Sequence, residues 1–281
     1  MSTLNKLSKT SFDLSGKVAL ITGAAGLLGV EHSIALAQAG ADVVMTDINI
    51  VALKESSKRV LESTGVNPTT MLLDVSDQQA VSSVRARLEK QGRIVTILIN
   101  NAAIDPKVNS DATVEESTRI ENFDINKWNI EVGVGLTGAI VCASEFGPRM
   151  AAHGGGVILN IASDLAAISP DQRLYKKVGL PDAEQPVKPV SYSVIKAGLV
   201  GLTRYLSTYW ADSNVRCNAL SPGGVYTNQS DEFVQKLSNL IPLGRMAESD
   251  EYRGAIQFMC SDASRYLNGQ NIVMDGGRSV L

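Results

Sequence analysis

Short runs of consecutive apolar residues alternate along this chain with longer stretches in which apolar positions recur every three or four residues. The apolar runs are VALITG (Val18 to Gly23), ADVVMTD (Ala41 to Asp47), TTMLLDV, VTILINNAA, GVILNIAS, VRCNALSPG and NIVMDGG. They are continuous rather than alternating, as expected of strands buried on both faces of a parallel sheet. The stretches between them, such as LLGVEHSIALAQAG, IVALKESSKRVLESTG and DQQAVSSVRARLEKQG, carry the spacing of amphipathic helices. The pattern predicts an α/β fold with about seven strands, doubly wound, helices on both faces and right-handed crossovers. With no repeat and no low-complexity linker, residues 1–281 are expected to form one domain.

One segment breaks the rhythm. Pro170 to Pro189, PDQRLYKKVGLPDAEQPVKP, is polar and charged and holds four prolines. It reads as a long loop inserted between the GVILNIAS strand and a small-residue helix, and loops of this length in a compact domain are usually functional lids or mobile segments. A second irregular stretch, IDPKVNSDATVEESTRIEN, follows the NNAA turn.

Composition narrows the partners. A chain of 281 residues buries roughly three quarters of its unfolded surface and needs no disulfide or metal staple. The net charge of −3 comes without a basic block, so neither nucleic acid nor an anionic membrane is an expected partner. Cys142, Cys217 and Cys260 are scattered and odd in number, which reads as buried thiols in a reducing compartment. His32 and His153 have no Cys or His beside them and read as ordinary helix residues, so no metal is expected. The opening MSTLNKLSKTSFDLSGK lacks the apolar core of a signal peptide, and no apolar run nears the roughly 20 residues of a membrane span. A cytoplasmic protein is the expectation.

TGAAGLLG, Thr22 to Gly29, joins the first strand to the first helix, with glycines at 23, 26 and 29. Such a turn lets backbone approach a pyrophosphate at a helix N-terminus, although turns also need glycine for their own sake. Asp47 ends the second strand, 18 residues after Gly29, near the spacing of a carboxylate that accepts from the adenosine ribose hydroxyls. It would repel the 2′-phosphate of NADP, so NAD is favoured over NADP; otherwise Asp47 caps the next helix. Asp74 ends the third strand, to meet the adenine amino group or to cap the helix that follows.

The chemistry points to SYSVIKAGLVGL, where Tyr192 and Lys196 lie four apart and share one face of a helix. A free phenol, with a pKa near 10, is a poor base at neutral pH; an adjacent ammonium favours its ionised form. Such a tyrosine can exchange a proton with an alcohol while a hydride moves to or from a nicotinamide.

In this context the chain resembles the short-chain dehydrogenase/reductase family, in its single-domain branch, from Lys17 to Gly277. YSVIK matches the family's Tyr-x-x-x-Lys, NNAA (Asn100 to Ala103) its Asn-Asn-Ala-Gly, LNIAS the strand ending in its serine, SPGGVYT its turn after the sixth strand, and GQNIVMDGG its last strand. The resemblance implies a doubly wound (Rossmann) sheet. It implies Tyr192 as proton-transfer residue, Lys196 as the cation that lowers its pKa and bonds the nicotinamide ribose, and Ser163 as donor to the substrate oxygen. It implies a cofactor lined by Gly23, Gly26, Leu28, Gly29, Asp47, Ile48, Asp74, Val75, Asn101, Ala102, Tyr192, Lys196, Pro222 and Gly223, with Val225 and Thr227 at the carboxamide. It also implies a homo-tetramer or homo-dimer, to which the small-residue helix Ala197 to Leu206 is suited. Ser191 is read as a helix cap.

Four departures stand out. Leu27 takes the middle glycine position of the turn, a spacing that looks like the family's extended, sugar-nucleotide-modifying branch. Ala103 replaces a glycine. Gly135 stands where the family often has an Asn that holds a relay water behind the lysine. Ser163 and Tyr192 are 29 residues apart because of the 170–189 insertion, which is expected to lie over the substrate cleft. Its Arg173, Lys176, Lys177 and Lys188 are candidates to contact an anionic group, or else belong to a solvated loop or a subunit contact. Aromatic residues, at 5%, argue against a large flat apolar substrate. The leading expectation is an NAD-dependent oxidoreductase for a polar, carbohydrate-like small molecule. The alternatives are a nucleotide-sugar epimerase or dehydratase that reduces NAD transiently, and a non-catalytic dinucleotide-binding protein.

Overall fold

A computed structural model describes residues 9–104 and 118–281. Its centre is a seven-stranded, all-parallel sheet in the order β3-β2-β1-β4-β5-β6-β7. The strands are β1 (Val18–Thr22), β2 (Asp42–Asp47), β3 (Thr69–Leu72), β4 (Val95–Asn100), β5 (Gly156–Ile161), β6 (Val215–Pro222) and β7 (Asn271–Met274). Each coincides with one of the apolar runs, and β1, β4, β5 and β6 are buried almost throughout. The order reverses between β1 and β4, so a crevice opens at their carboxyl ends, where doubly wound sheets bind ligands.

Helices α1 (Leu27–Gln38), α2 (Ile50–Thr64) and α3 (Gln78–Lys90) start and stop where the sequence places them. The side chains of Asn49 and Asp77 cap α2 and α3, and Gly65 closes α2 in the left-handed region. Two cap expectations are corrected by this. Neither Asp47 nor Asp74 caps a helix, because Asn49 and Asp77, each nearer its helix, take those positions. Ser191 is not a cap either. Pro189 holds the N-cap of α6 (Val190–Tyr209), and Ser191 is buried inside the first turn.

Helix α1 is buried from Gly29 to Ala37, wedged between the sheet, α2 and α8 (Arg253–Cys260). Its Glu31 is matched by Arg59 and Arg253. Its His32 is fully buried, and neither ring nitrogen finds a hydrogen-bond partner among the described residues. Burial pushes the His32 pKa down from 6.5 to about 3. The unfolded chain therefore binds a proton that the folded chain refuses between those values. Stability is full above about pH 6.5 and falls as pH drops towards 3, by up to about 1.4 kcal/mol per pH unit. Urea unfolding midpoints should fall from pH 7 to pH 5 in the parent and fall less in His32→Leu; equal slopes would refute this.

Helices α4 (Ile125–Val132) and α5 (Gly138–Ala152) run on through a π-helical segment, Gly133–Thr137. The continuous helix Ile125–Ala152 is long and apolar enough to cross a membrane by length and composition, contrary to the expectation that no such run exists. Part of its apolarity belongs to the core, where Cys142, Ala143, Phe146 and Met150 pack against β4, β5 and β6, while Ile125, Ile130 and Ile140 are exposed. The three cysteines are free and buried, and burial pushes each thiol up to about 12.

The 170–189 insertion is built rather than loose. It contains two short 3-10 turns, Gln172–Tyr175 and Asp182–Glu184. Gln185, buried, accepts from the Lys177 N–H and donates to the carbonyls of Lys177 and Leu180, closing the loop on itself. Leu174 packs with Leu237, Ile241 and Met246, and the Tyr175 ring lies 5.8 Å from that of Phe233 on α7 (Asp231–Ser238). Of the irregular stretch after the NNAA turn, residues 105–117 lie outside the described residues.

Candidate active site

The glycine turn is laced to the end of β4. The Thr22 hydroxyl accepts from the N–H groups of Asn101 and Ala102, and the Asn101 amide donates to the carbonyls of Thr22 and Gly23, each at 3.0 Å. Gly23 has φ +61°, and a Cβ there would stand 2.8 Å from the Ala102 Cα. A Cβ on Gly29 would stand 2.3 Å from the Gly23 carbonyl oxygen, so a side chain at either position would break the turn. Gly26 holds the N-cap of α1 without a side chain over the first-turn N–H groups, which leaves backbone donors for an anion. Leu28 is half-buried behind them. The Asp47 carboxylate accepts from the N–H of Ala25 in the turn (3.0 Å) and of Asn49 (2.9 Å), which fixes a negative group beside the cradle. Ile48 beside it is exposed and Val75 is buried against Gly138. Asp74 accepts from the backbone and hydroxyl of Ser76. These residues fit an adenine dinucleotide: close backbone, free N–H groups and a placed carboxylate.

At the far side of the crevice, Lys196 on α6 is buried and donates to the carbonyl of Ile161, 2.8 Å away, two residues before Ser163. Tyr192, one turn earlier, is half-buried, with the Lys196 Nζ 5.7 Å from its ring centroid. Ser163 is buried at the end of β5; its hydroxyl donates to the Asp164 carboxylate (2.9 Å) and accepts from the Leu165 N–H (3.2 Å). With its hydrogen on Asp164, the serine must rotate its hydroxyl to donate to a substrate oxygen. Beneath them, Asn100 donates to Asn160, and Asn160 to Thr203 on α6, a buried chain that ties β4, β5 and α6 together.

At the β6 end, Gly223 donates to the Met274 carbonyl after Pro222, and a Cβ on it would meet the Asp275 backbone at 2.7 Å. Val225 pairs with Ala247, and the Thr227 N–H donates to the Gln229 side chain, whose amide returns to the Val225 carbonyl.

Two expected substrate contacts are engaged elsewhere. Arg173 is fixed on Asp171 by a two-pronged pair, and Lys176 meets Asp182 at 3.3 Å, both within the insertion. Among the described residues, Lys188 is an insertion cation that reaches the site, with its Nζ 3.9 Å from the Tyr192 ring centroid. Gly135 sits in the π segment, where a Cβ would stand 2.8 Å from Ile195 Cγ2, so Ile195 fills the space a longer side chain would take. Sequence reasoning missed Asp164 and Arg278. Arg278 donates to the Asp164 carboxylate at 2.8 Å, both side chains nearly buried. The adjacency of Asp164 to Ser163 was the available signal; Arg278, 114 residues away, offered none.

The family pattern described as short chain dehydrogenase matches residues 17–175, and the one described as enoyl-(acyl carrier protein) reductase matches 182–279. The break between them falls inside the insertion. The short chain dehydrogenase/reductase astE of Aspergillus oryzae is 32% identical, over 98% of this chain and 99% of its own. D-threitol dehydrogenase of Mycolicibacterium smegmatis is 29% identical, over 96% and 95%. Among solved structures, gluconate 5-dehydrogenase of Burkholderia cenocepacia, in complex with NADP and tartrate, is 27% identical over 97% of this chain and 99% of that one, with a TM-score of 0.81.

Proposed function

The chain belongs to the short-chain dehydrogenase/reductase family, and from that premise we propose that it is an NAD-dependent oxidoreductase acting on a secondary alcohol or ketone in a small, polar, carbohydrate-like substrate. The observation that carries this reading is Lys196, a buried ammonium that joins the end of β5, two residues before Ser163, to the helix bearing Tyr192. The bound nicotinamide supplies the hydride acceptor or donor. In the oxidative direction Tyr192, its phenolate favoured by the neighbouring cation, takes the hydroxyl proton of the substrate. Ser163, its hydroxyl turned away from Asp164, holds the substrate oxygen against Tyr192, and the two together fix the geometry of transfer. Lys196 keeps Tyr192 in place and meets the ribose. Gly23, Gly26 and Gly29 admit the pyrophosphate.

The preference for NAD rests on Asp47. Its two oxygens are held by backbone N–H groups, so the charge cannot swing away from a 2′-phosphate. The Burkholderia relative holds NADP; here a like-charge contact, worth several kcal/mol, opposes it. The names of the threitol and gluconate enzymes support a polyol or sugar-acid substrate. The exposed Val194, Tyr205 and Tyr209 on α6 support self-association into a dimer or tetramer.

The test is net NADH formation with a panel of tetritols, pentitols, hexitols and aldonic acids. Turnover is expected with NAD at least about tenfold more efficiently than with NADP. Product without net NADH would favour the transient-NAD reading, and tight NAD binding without turnover on any alcohol would reject the enzyme.

A further inference from the structure

We propose that Lys188, at the end of the insertion, is a positioning residue that places a second cation on Tyr192 and biases its phenol towards the ionised form. This rests on the reading of Tyr192 as the proton-transfer residue. The Lys188 Nζ lies 3.9 Å from the ring centroid, closer than the 5.7 Å of Lys196 and well within the reach of a cation–π contact. Lys196 approaches from within α6, four residues after the tyrosine; Lys188 comes from four residues before it, outside the helix.

The position of Lys188 is set from three sides. Its N–H donates to the Gln172 side-chain oxygen at 2.8 Å, and its carbonyl accepts from the Gln172 amide at 3.4 Å, so the start of the insertion clamps its end. The Thr118 hydroxyl donates to the Val187 carbonyl at 2.5 Å, and Pro189 follows with φ −65° at the helix N-cap. An ammonium over a ring face is attracted by the ring quadrupole, and more strongly by a ring that has gained a negative charge. The difference between the two states is what shifts the ionisation. Other charged groups stand on the elements packed around this end of α6: Asp164 held by Arg278, Glu131 on α4, and Arg119 held by Glu121 and the carbonyls of Asp182 and Gln185.

The experiment follows the ionisation of Tyr192 directly, as the ultraviolet phenolate band of each protein minus that of its Tyr192→Phe counterpart. It also follows the acid limb of kcat/KM for alcohol oxidation. Lys188→Met should move both to higher pH by about half a unit, leaving roughly threefold less phenolate below the limb, and Lys188→Arg should restore them. Unchanged curves in Lys188→Met overturn the proposal. So does an equal shift in Lys188→Arg, which would mean loop packing, or a rise in KM with the limb in place, which would mean a substrate contact. If Tyr192→Phe kept full turnover, the catalytic reading would fail while the titration could still be shifted, so the two failures are distinguishable.

Discussion

Tyr192→Phe should lower turnover by about a thousandfold and leave cofactor affinity close to that of the parent. The substitution removes one oxygen. The ring stays, and so does its face contact with Lys188, because a phenyl ring carries the same kind of quadrupole. Lys196 keeps its bond to the Ile161 carbonyl. On the proposed reading, what disappears is the group that takes the alcohol proton, and general acid–base catalysis of this kind is worth about 10²–10⁴-fold. Steady-state NADH formation gives the first quantity and quenching of protein fluorescence by NAD the second. Retention of more than about a tenth of the parent rate would remove Tyr192 from the reaction.

Arg278→Met should lower stability by about 3–5 kcal/mol and slow catalysis in the same variant. Arg278 and Asp164 form a nearly buried ion pair, and removing one member leaves the other charged and dry. For a chain of this size that corresponds to a fall of roughly 10 °C in Tm. Asp164 also receives the Ser163 hydroxyl, so a carboxylate that has lost its guanidinium holds that hydroxyl more tightly and opposes its turn towards a substrate oxygen. The double variant Asp164→Asn, Arg278→Met should regain much of the stability, since no buried charge is left. A single variant that unfolds within about 1 °C of the parent would show that the pair is solvated.

The sheet and its first three helices were legible because each depends on neighbours in sequence. VALIT and VTILIN can be buried on both faces, and the helical runs show their apolar spacing, but the caps are Asn49 and Asp77 rather than the expected Asp47 and Asp74. The glycine turn, Asp47 and the Tyr192–Lys196 pair stood out as spacings with a chemical meaning, whereas Ser163 stood out only through the resemblance of LNIAS to the family's strand. The remainder depends on contacts that no window of sequence contains. Arg278 finds Asp164 across 114 residues, and Gln172 clamps Lys188 across 16. A run of four prolines and many charges suggested an open loop, whereas Gln185 and Leu174 fold it into a cap on α7. The two glycines of the π segment leave no periodic mark, and only the position of Ile195 explains why position 135 carries none of the bulk expected there.

The three thiols, all enclosed and each pushed up to about 12 by burial, should react slowly with alkylating reagents at neutral pH. The folded protein thus offers a silent background for chemical labelling. Val178, wholly exposed in a turn of the insertion, can be exchanged for cysteine and given a fluorophore without competing attachment elsewhere. Such a dye would record, in a single molecule, whether the cap over α7 shifts each time a substrate enters or leaves.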